Sequence, residues 1–436
     1  MTDRPRLIIP RRYGALLLIF LFFAGCGQDT DGITKLDFWV MGREGEMVQE
    51  LVRDFEAQNP DVQVRVQQIP WTAAHEKLLT AHVGKATPDL AQLGNTWVPE
   101  FQALGALAEL DGLIAASKQV SPDDHFPGIW DTNVLDGKSF GVPWYVDTRL
   151  LFYRTDLLVQ AGFTEPPQTW EQWRRALEAL SARGPEKFGI LLPVNEWTQP
   201  VIFGLQSGSS LLVDRDTRGD FSGPDFGRAI DFYLGLFADG LAPPVSNNQV
   251  ANLYQEFARG TFAMFISGPW NIGECRQRLP DDMQDDWATA PLPGPDAGTA
   301  GLSLAGGSSL VLFESSRNQE ASWRLIEFLN QPQQQVRFFH LTGDLPANKN
   351  AWSDPGMNAD PMVQAFWEQL QHVVPTPKIP EWEQIATRIW ERTEAAIRGA
   401  ETRADAMAKL DEDVERILAK RRWLLARETR NGAGDE

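Results

Sequence analysis

Between Lys35 and Leu93 the chain switches repeatedly between two hydrophobic periods, and this limits the folds open to it. Lys35 to Val40 reads as a strand. Met47, Val48, Leu51, Val52 and Phe55 then recur at helical spacing, and Asn59-Pro60 stops that helix. Val62, Val64 and Val66 alternate as a second strand, Ala74 to Val83 is helical again, and Asp89 to Leu93 forms a third strand. Strands separated by helices indicate an open α/β sheet. At 436 residues the chain exceeds the roughly 250–300 that one core organises, so more than one domain is expected. Later strands at Phe188 to Leu192, Thr261 to Ser267 and Leu310 to Phe313, with helices from Phe226, Ser322, Trp382 and Met407, fit the same class.

In open α/β sheets, ligands sit beyond the carboxyl ends of strands. The segments at those ends are Gly42-Arg43-Glu44, Pro70-Trp71, Gly94-Asn95-Thr96-Trp97, Asn195-Glu196-Trp197 and Gly268-Pro269-Trp270. Each tryptophan is either a stacking platform or a core ring, and Asn95 or Thr96 either meets a ligand or caps a helix. Gly306-Gly307-Ser308-Ser309 either offers backbone amides or makes a hinge turn.

The densest stretch is Gly141-Val142-Pro143-Trp144-Tyr145-Val146-Asp147-Thr148-Arg149, followed by the apolar run Leu150 to Tyr153. Strand spacing would put Tyr145, Asp147 and Arg149 on one face. A ring, an acceptor and a fork of donors suit a polyhydroxylated ligand. The alternative is a sheet edge with a surface ion pair.

A net charge of −19 argues against nucleic acid and against an electrostatic grip on anionic lipid, and it disfavours an anionic solute. The five histidines are scattered. There is no His-Glu-x-x-His, no Gly-x-Ser-x-Gly and no phosphate loop. The reading therefore includes no catalytic residue, no metal and no cofactor. At the start, Arg4, Arg6, Arg11 and Arg12 precede an apolar run, Tyr13 to Gly25, that is short for a membrane span. It ends in Phe23-Ala24-Gly25-Cys26, which looks like a bacterial lipobox with Phe in place of the usual Leu. Residues 1–26 then form a signal peptide with its lipobox. Cys26 is the first mature, lipid-bearing residue, and 27–33 is a polar tether. An ordinary cleaved signal and an uncleaved anchor are the alternatives. With Cys26 acylated, Cys275 has no disulfide partner.

These landmarks stand in the order shown by extracellular solute-binding proteins of family 1, the carbohydrate-binding subunits of bacterial ABC importers. The ordered set, which also includes His75-Glu76-Lys77-Leu78, Gly260-Thr261-Phe262-Ala263-Met264 and Leu345-Pro346-Ala347, resembles that family over nearly the whole mature chain. The resemblance implies a periplasmic-binding-protein-like type II fold: two α/β lobes joined by a multi-strand hinge, with the ligand cleft between them. The lobes would comprise 34–145 plus 307–346 and 149–304 plus 350–426, followed by a flexible tail at 427–436. Val146, Ser308 and Asn348 would absorb the hinge rotation. It implies a monomer outside the cytoplasm that hands a neutral sugar or oligosaccharide to a membrane permease. It also implies the ligand set Glu44, Trp71, Asn95, Trp97, Tyr145, Asp147, Arg149, Trp197, Trp270, Gly306, Gly307 and Asp344. The rivals are the same fold with a polyol phosphate or polyamine as cargo, and a secreted glycan-active enzyme built on paired carboxylates.

Overall fold

The computed structural model describes residues 32–250 and 252–432. Cys26, its lipobox and tether residues 27–31 lie outside the described residues. In chain order the first lobe opens with β1 (Thr34–Met41), α1 (Glu44–Gln58), β2 (Val62–Ile69), α2 (Trp71–Val83), β3 (Leu90–Gly94) and, further on, β4 (Val142–Val146). The chain crosses at 147–149 into β5 (Leu150–Arg154), followed by α3 (Trp170–Ser181), β6 (Phe188–Leu191), α4 (Thr198–Gln206), α5 (Pro224–Ala238), β7 (Phe262–Ser267), α6 (Trp270–Arg278) and β8 (Trp287–Ala290). It returns with β9 (Gly307–Leu312), α7 (Gln319–Asn330), α8 (Pro332–Thr342) and β10 (Leu345–Pro346). It then crosses again to α9 (Pro361–Leu370), α10 (Trp382–Ile397), α11 (Arg403–Ile417) and α12 (Ala419–Gly432).

Two sheets result. The first has the order β10-β4-β9-β3-β1-β2, and the second β8-β5-β7-β6. β1 runs parallel to β2 and β3, while β9 is antiparallel to both β3 and β4. The repeat that predicted α1 is the face it buries: Val48, Leu51, Val52 and Phe55 point into the first core. In the second lobe α3 does the same with Trp170, Trp173, Ala176, Leu177 and Leu180. Eight of the sixteen tryptophans are buried, among them Trp144, Trp173, Trp287 and Trp382. Trp71, Trp97, Trp197 and Trp270 are not among those eight, which is what a ring meant to meet a ligand requires.

Three differences from the sequence reading have physical causes. The strand carrying Tyr145 ends at Val146, so alternation does not extend to Asp147 and Arg149. The segment around Leu345 and Pro346, named above only as a landmark of the resemblance, adds an edge strand to β4. Proline is tolerated there because an edge residue has a free N–H side. The tail expected from 427 continues α12 as far as Gly432, with the good helix formers Arg427 and Glu428 at the start of that extension; 433–436 lie outside the described residues.

Trp144 is fully buried and stacks on Phe338 at 4.3 Å, joining β4 to α8. Trp144→Ala should therefore destabilise the first lobe by about 3–5 kcal/mol, read from urea unfolding. A loss below about 1 kcal/mol would show that β4 is not held by this ring.

Candidate functional site

The crossing from β4 to β5 runs beside the crossing that leads into β9, and hydrogen bonds fasten the two together. The Asp147 N–H donates to the Gly306 carbonyl at 3.2 Å, Thr148 Oγ1 to the Leu304 carbonyl at 2.8 Å, and Ser303 Oγ to the Arg149 carbonyl at 2.7 Å. Thr148 is buried against the neighbouring crossing. Asp147 and Arg149, on either side of it, both line a cavity of about 170 Å³. They pair across 3.5 Å. The Arg149 guanidinium also lies over the Trp270 ring, 4.8 Å from its centre.

Gly307 is required at this junction, and Gly306 leaves room for the Asp147 carboxyl. A Cβ on Gly306 would lie 2.0 Å from Asp147 Oδ1, and one on Gly307 2.2 Å from the Tyr145 carbonyl; Gly307 also holds φ at +141°. Both glycines line the same cavity, together with Trp71, Asn95, Trp97 and Trp197. Trp71 and Trp97 meet edge-on at 5.7 Å, and Trp197 is held edge-on to Trp382 at 5.6 Å. Asn95 donates its side-chain amide to the Ala305 carbonyl, so that group already serves the crossing.

A second compartment of about 410 Å³ continues from Asp147 and Trp71, lined by Glu44, Tyr145, Trp270 and Asp344. Trp270 thus stands beyond Arg149, walling this compartment, and not inside the first. Tyr145 needs correcting. Its ring packs against Trp144 and Phe338, and its hydroxyl donates to Glu44 Oε1 at 2.8 Å while accepting from Gln92 Nε2 at 2.8 Å and Ser308 Oγ at 3.0 Å. A phenol has one proton and two lone pairs, so its capacity is spent. Tyr145 orients Glu44 through its hydroxyl, and its ring reaches the compartment only at an edge of a buried residue.

Burial pushes the carboxyl groups of Glu44 and Asp344 above their ordinary range. The neighbouring Glu44 charge adds to the rise at Asp344, which ends well above 3.8. Hydrogen bonds from Tyr145 and Trp71 partly offset the rise at Glu44. The compartment therefore holds two carboxyl groups that burial pushes toward their protonated, donating form, beside Asp147 and an aromatic wall at Trp270.

Further lining residues escaped the sequence reading. Thr198 follows Trp197 directly, and Glu274 lies one turn beyond Trp270 on α6, so both were within reach of helical spacing. Thr376 and Tyr254 carried no local signal.

Residues 41–336 match the family model described as bacterial extracellular solute-binding protein. This chain belongs to that family. The solute-binding fold is shared with the sugar-binding protein MalE of Xanthomonas citri, at a TM-score of 0.87 and 49% identity, over 90% of this chain and 99% of that one. It is shared also with a Thermotoga lettingae ABC-transporter solute-binding protein bound to α-D-tagatose, at 0.75 and 25%, over 88% and 100%. The diacetylchitobiose-binding protein DasA of Streptomyces coelicolor is 25% identical over 374 residues, 82% of this chain and 86% of its own. Among the described residues no helix is long and apolar enough to cross a membrane.

The raised Asp344 carboxyl fixes a sign. The folded chain keeps its proton above 3.8 while the unfolded chain loses it, so the native state binds more protons and this group lowers stability as pH rises. Asp344→Asn should be more stable than the parent at about pH 8, with the gain gone by about pH 3.5, measured by thermal unfolding. A variant less stable at the higher pH would mean that the carboxylate is ionised and paired.

Proposed function

We propose that this solute-binding protein captures a neutral sugar or oligosaccharide between its two lobes and delivers it to the permease of an ABC importer. The observation that carries this reading is the junction of Asp147, Arg149 and Trp270. Groups from the crossing and from α6 meet there, with Trp97 and Trp197 lining the adjoining cavity. Rings stack on the apolar faces of pyranoses, at roughly 0.5–1.5 kcal/mol each if aromatic pairs are a fair guide. Hydrogen bonds from hydroxyls to charged groups add roughly 1.5–3 kcal/mol each. The ligand set is the one named from the sequence, with Tyr145 and Asn95 acting through Glu44 and the crossing. The sugar-binding name of the 49% identical MalE supports the cargo class.

The lobes are taken as 34–145 plus 307–346 and 149–304 plus 350–426. The chain acts as a monomer outside the cytoplasm, held at a membrane through lipid on Cys26. A phosphorylated cargo is disfavoured because Arg149 is occupied by Asp147 and Trp270, and a polyamine because burial holds Glu44 and Asp344 toward their neutral forms.

Titrating tryptophan fluorescence against mono-, di- and oligosaccharides, with spermidine and glycerol 3-phosphate alongside, tests the reading. A saturable change with a neutral sugar and no release of reducing ends is expected. Trp270→Ala and Asp147→Ala should each weaken that binding about tenfold or more, a shift of about 1.4 kcal/mol, with melting temperature nearly unchanged. Saturation only by spermidine or the phosphate, or steady release of reducing ends, would overturn it.

A further inference from the structure

Away from the crossings, one side-chain bond joins the two lobes beside the cavity. Thr96 Oγ1 donates to Glu383 Oε1 at 2.6 Å across 287 residues of sequence. Thr96 belongs to the short turn Asn95–Trp97 that follows β3, and it lines the cavity beside Trp97. Glu383 sits in the first turn of α10, whose Trp382, Ile385, Ala386 and Ile389 are embedded in the second core. Each partner is thus rooted in a different body. The turn is itself stiffened from below: Trp97 packs on His75 at 5.1 Å, and His75 Nε2 meets Glu100 Oε2 at 2.6 Å.

We propose that Glu383 is a positioning residue, which fastens the second lobe over the cavity by holding the Thr96 hydroxyl. A carboxylate acceptor suits this task, since bonds to a charged group are stronger than neutral ones. Burial raises the carboxyl of Glu383, with Thr96 lowering it again and His75 and Glu100 the charged groups facing it, so the contact is already withdrawn from bulk water. A cleft that closes by rotation needs such a contact made only in the shut arrangement, because contacts present in both arrangements shift nothing. Lys378, five residues earlier, bonds Asp131 Oδ1 at 2.9 Å and the Val134 carbonyl at 2.9 Å. It ties the approach to α10 to the first lobe, and gives a second contact against which Glu383 can be compared.

The test needs no solute, so its failure is separate from failure of the sugar reading; it rests only on the two-lobed fold. Spin labels are placed through Val83→Cys on the first lobe and Val159→Cys on the second, both exposed positions. Cys26→Ser is included, and the native Cys275 is buried. Electron–electron distance distributions are then recorded for the full-length chain. The parent should show a short-distance, closed population. Thr96→Val and Glu383→Ala should each reduce it at least threefold, and the double variant should fall no further, since both remove one bond. Glu383→Gln should restore most of it, because its amide oxygen still accepts the hydroxyl. Lys378→Met should leave the coupling between Thr96 and Glu383 intact. Unchanged distributions in the single variants, additive losses in the double, or a parent with no short-distance population would each overturn the proposal.

Discussion

The whole arrangement depends on two chain crossings that lie close enough to share hydrogen bonds. Asp147, Thr148 and Arg149 bond Gly306, Leu304 and Ser303 in register. This settles where side chains go. The residue in the middle, Thr148, is spent on the neighbouring chain, and the two flanking residues turn into the space between the lobes. The price of that closeness is glycine at 307, since the Tyr145 carbonyl occupies the volume a Cβ would need. A third cluster that includes Val146, Leu150, Ala305, Leu345 and Ala347 gathers apolar residues from all three crossings, so the lobes are joined by a packed seam as well as by strands.

Around this seam, charge is handled in two different ways. Most of the acidic excess is on the surface, where pairs such as Arg65 with Asp37 contribute little to stability. Inside the cleft the acids are desolvated, and the protein keeps them by hydrogen bonding. Glu44 receives the Tyr145 hydroxyl, which in turn is held by Gln92 and Ser308 from β3 and β9. Four elements of the first lobe thus aim one carboxyl group. Such a network is stiff, and stiffness is what lets a site discriminate among ligands that differ by the placement of one hydroxyl.

Much of the fold was legible because its signals are periodic. The apolar stripe of α1 and the alternation of β2 are direct statements of which side faces a core, and the structure uses them as written. The carboxyl-end rule then located the loops carrying Trp71, Trp97, Trp197 and Trp270 without any knowledge of tertiary packing. What could not be read is what depends on contacts between distant segments. Tyr145 looks like a ligand ring in sequence, and only the positions of Gln92, Ser308 and Glu44 show that its hydroxyl is already committed. Asp147 and Arg149 share a cavity with their neighbours through the turn of the crossing, not through strand alternation, which stops at Val146. Thr376 and Tyr254 are brought in by the path of the chain alone.

The two compartments differ in chemistry, and the difference bears on how a ligand would be oriented. In the first, tryptophan rings and backbone groups at Gly306 and Gly307 surround the Asp147–Arg149 pair. In the second, Glu44 and Asp344 face Trp270 across a larger volume. A protonated carboxyl donates one hydrogen bond and an ionised one only accepts, and burial pushes both Glu44 and Asp344 toward the donating form. A ligand with a single polar group could satisfy only one of them and would leave the other buried and unpaired, at a cost of about 1–3 kcal/mol. A vicinal diol satisfies both. On the proposed function, the buried acids would favour polyhydroxylated solutes, through the same desolvation that makes them expensive to bury.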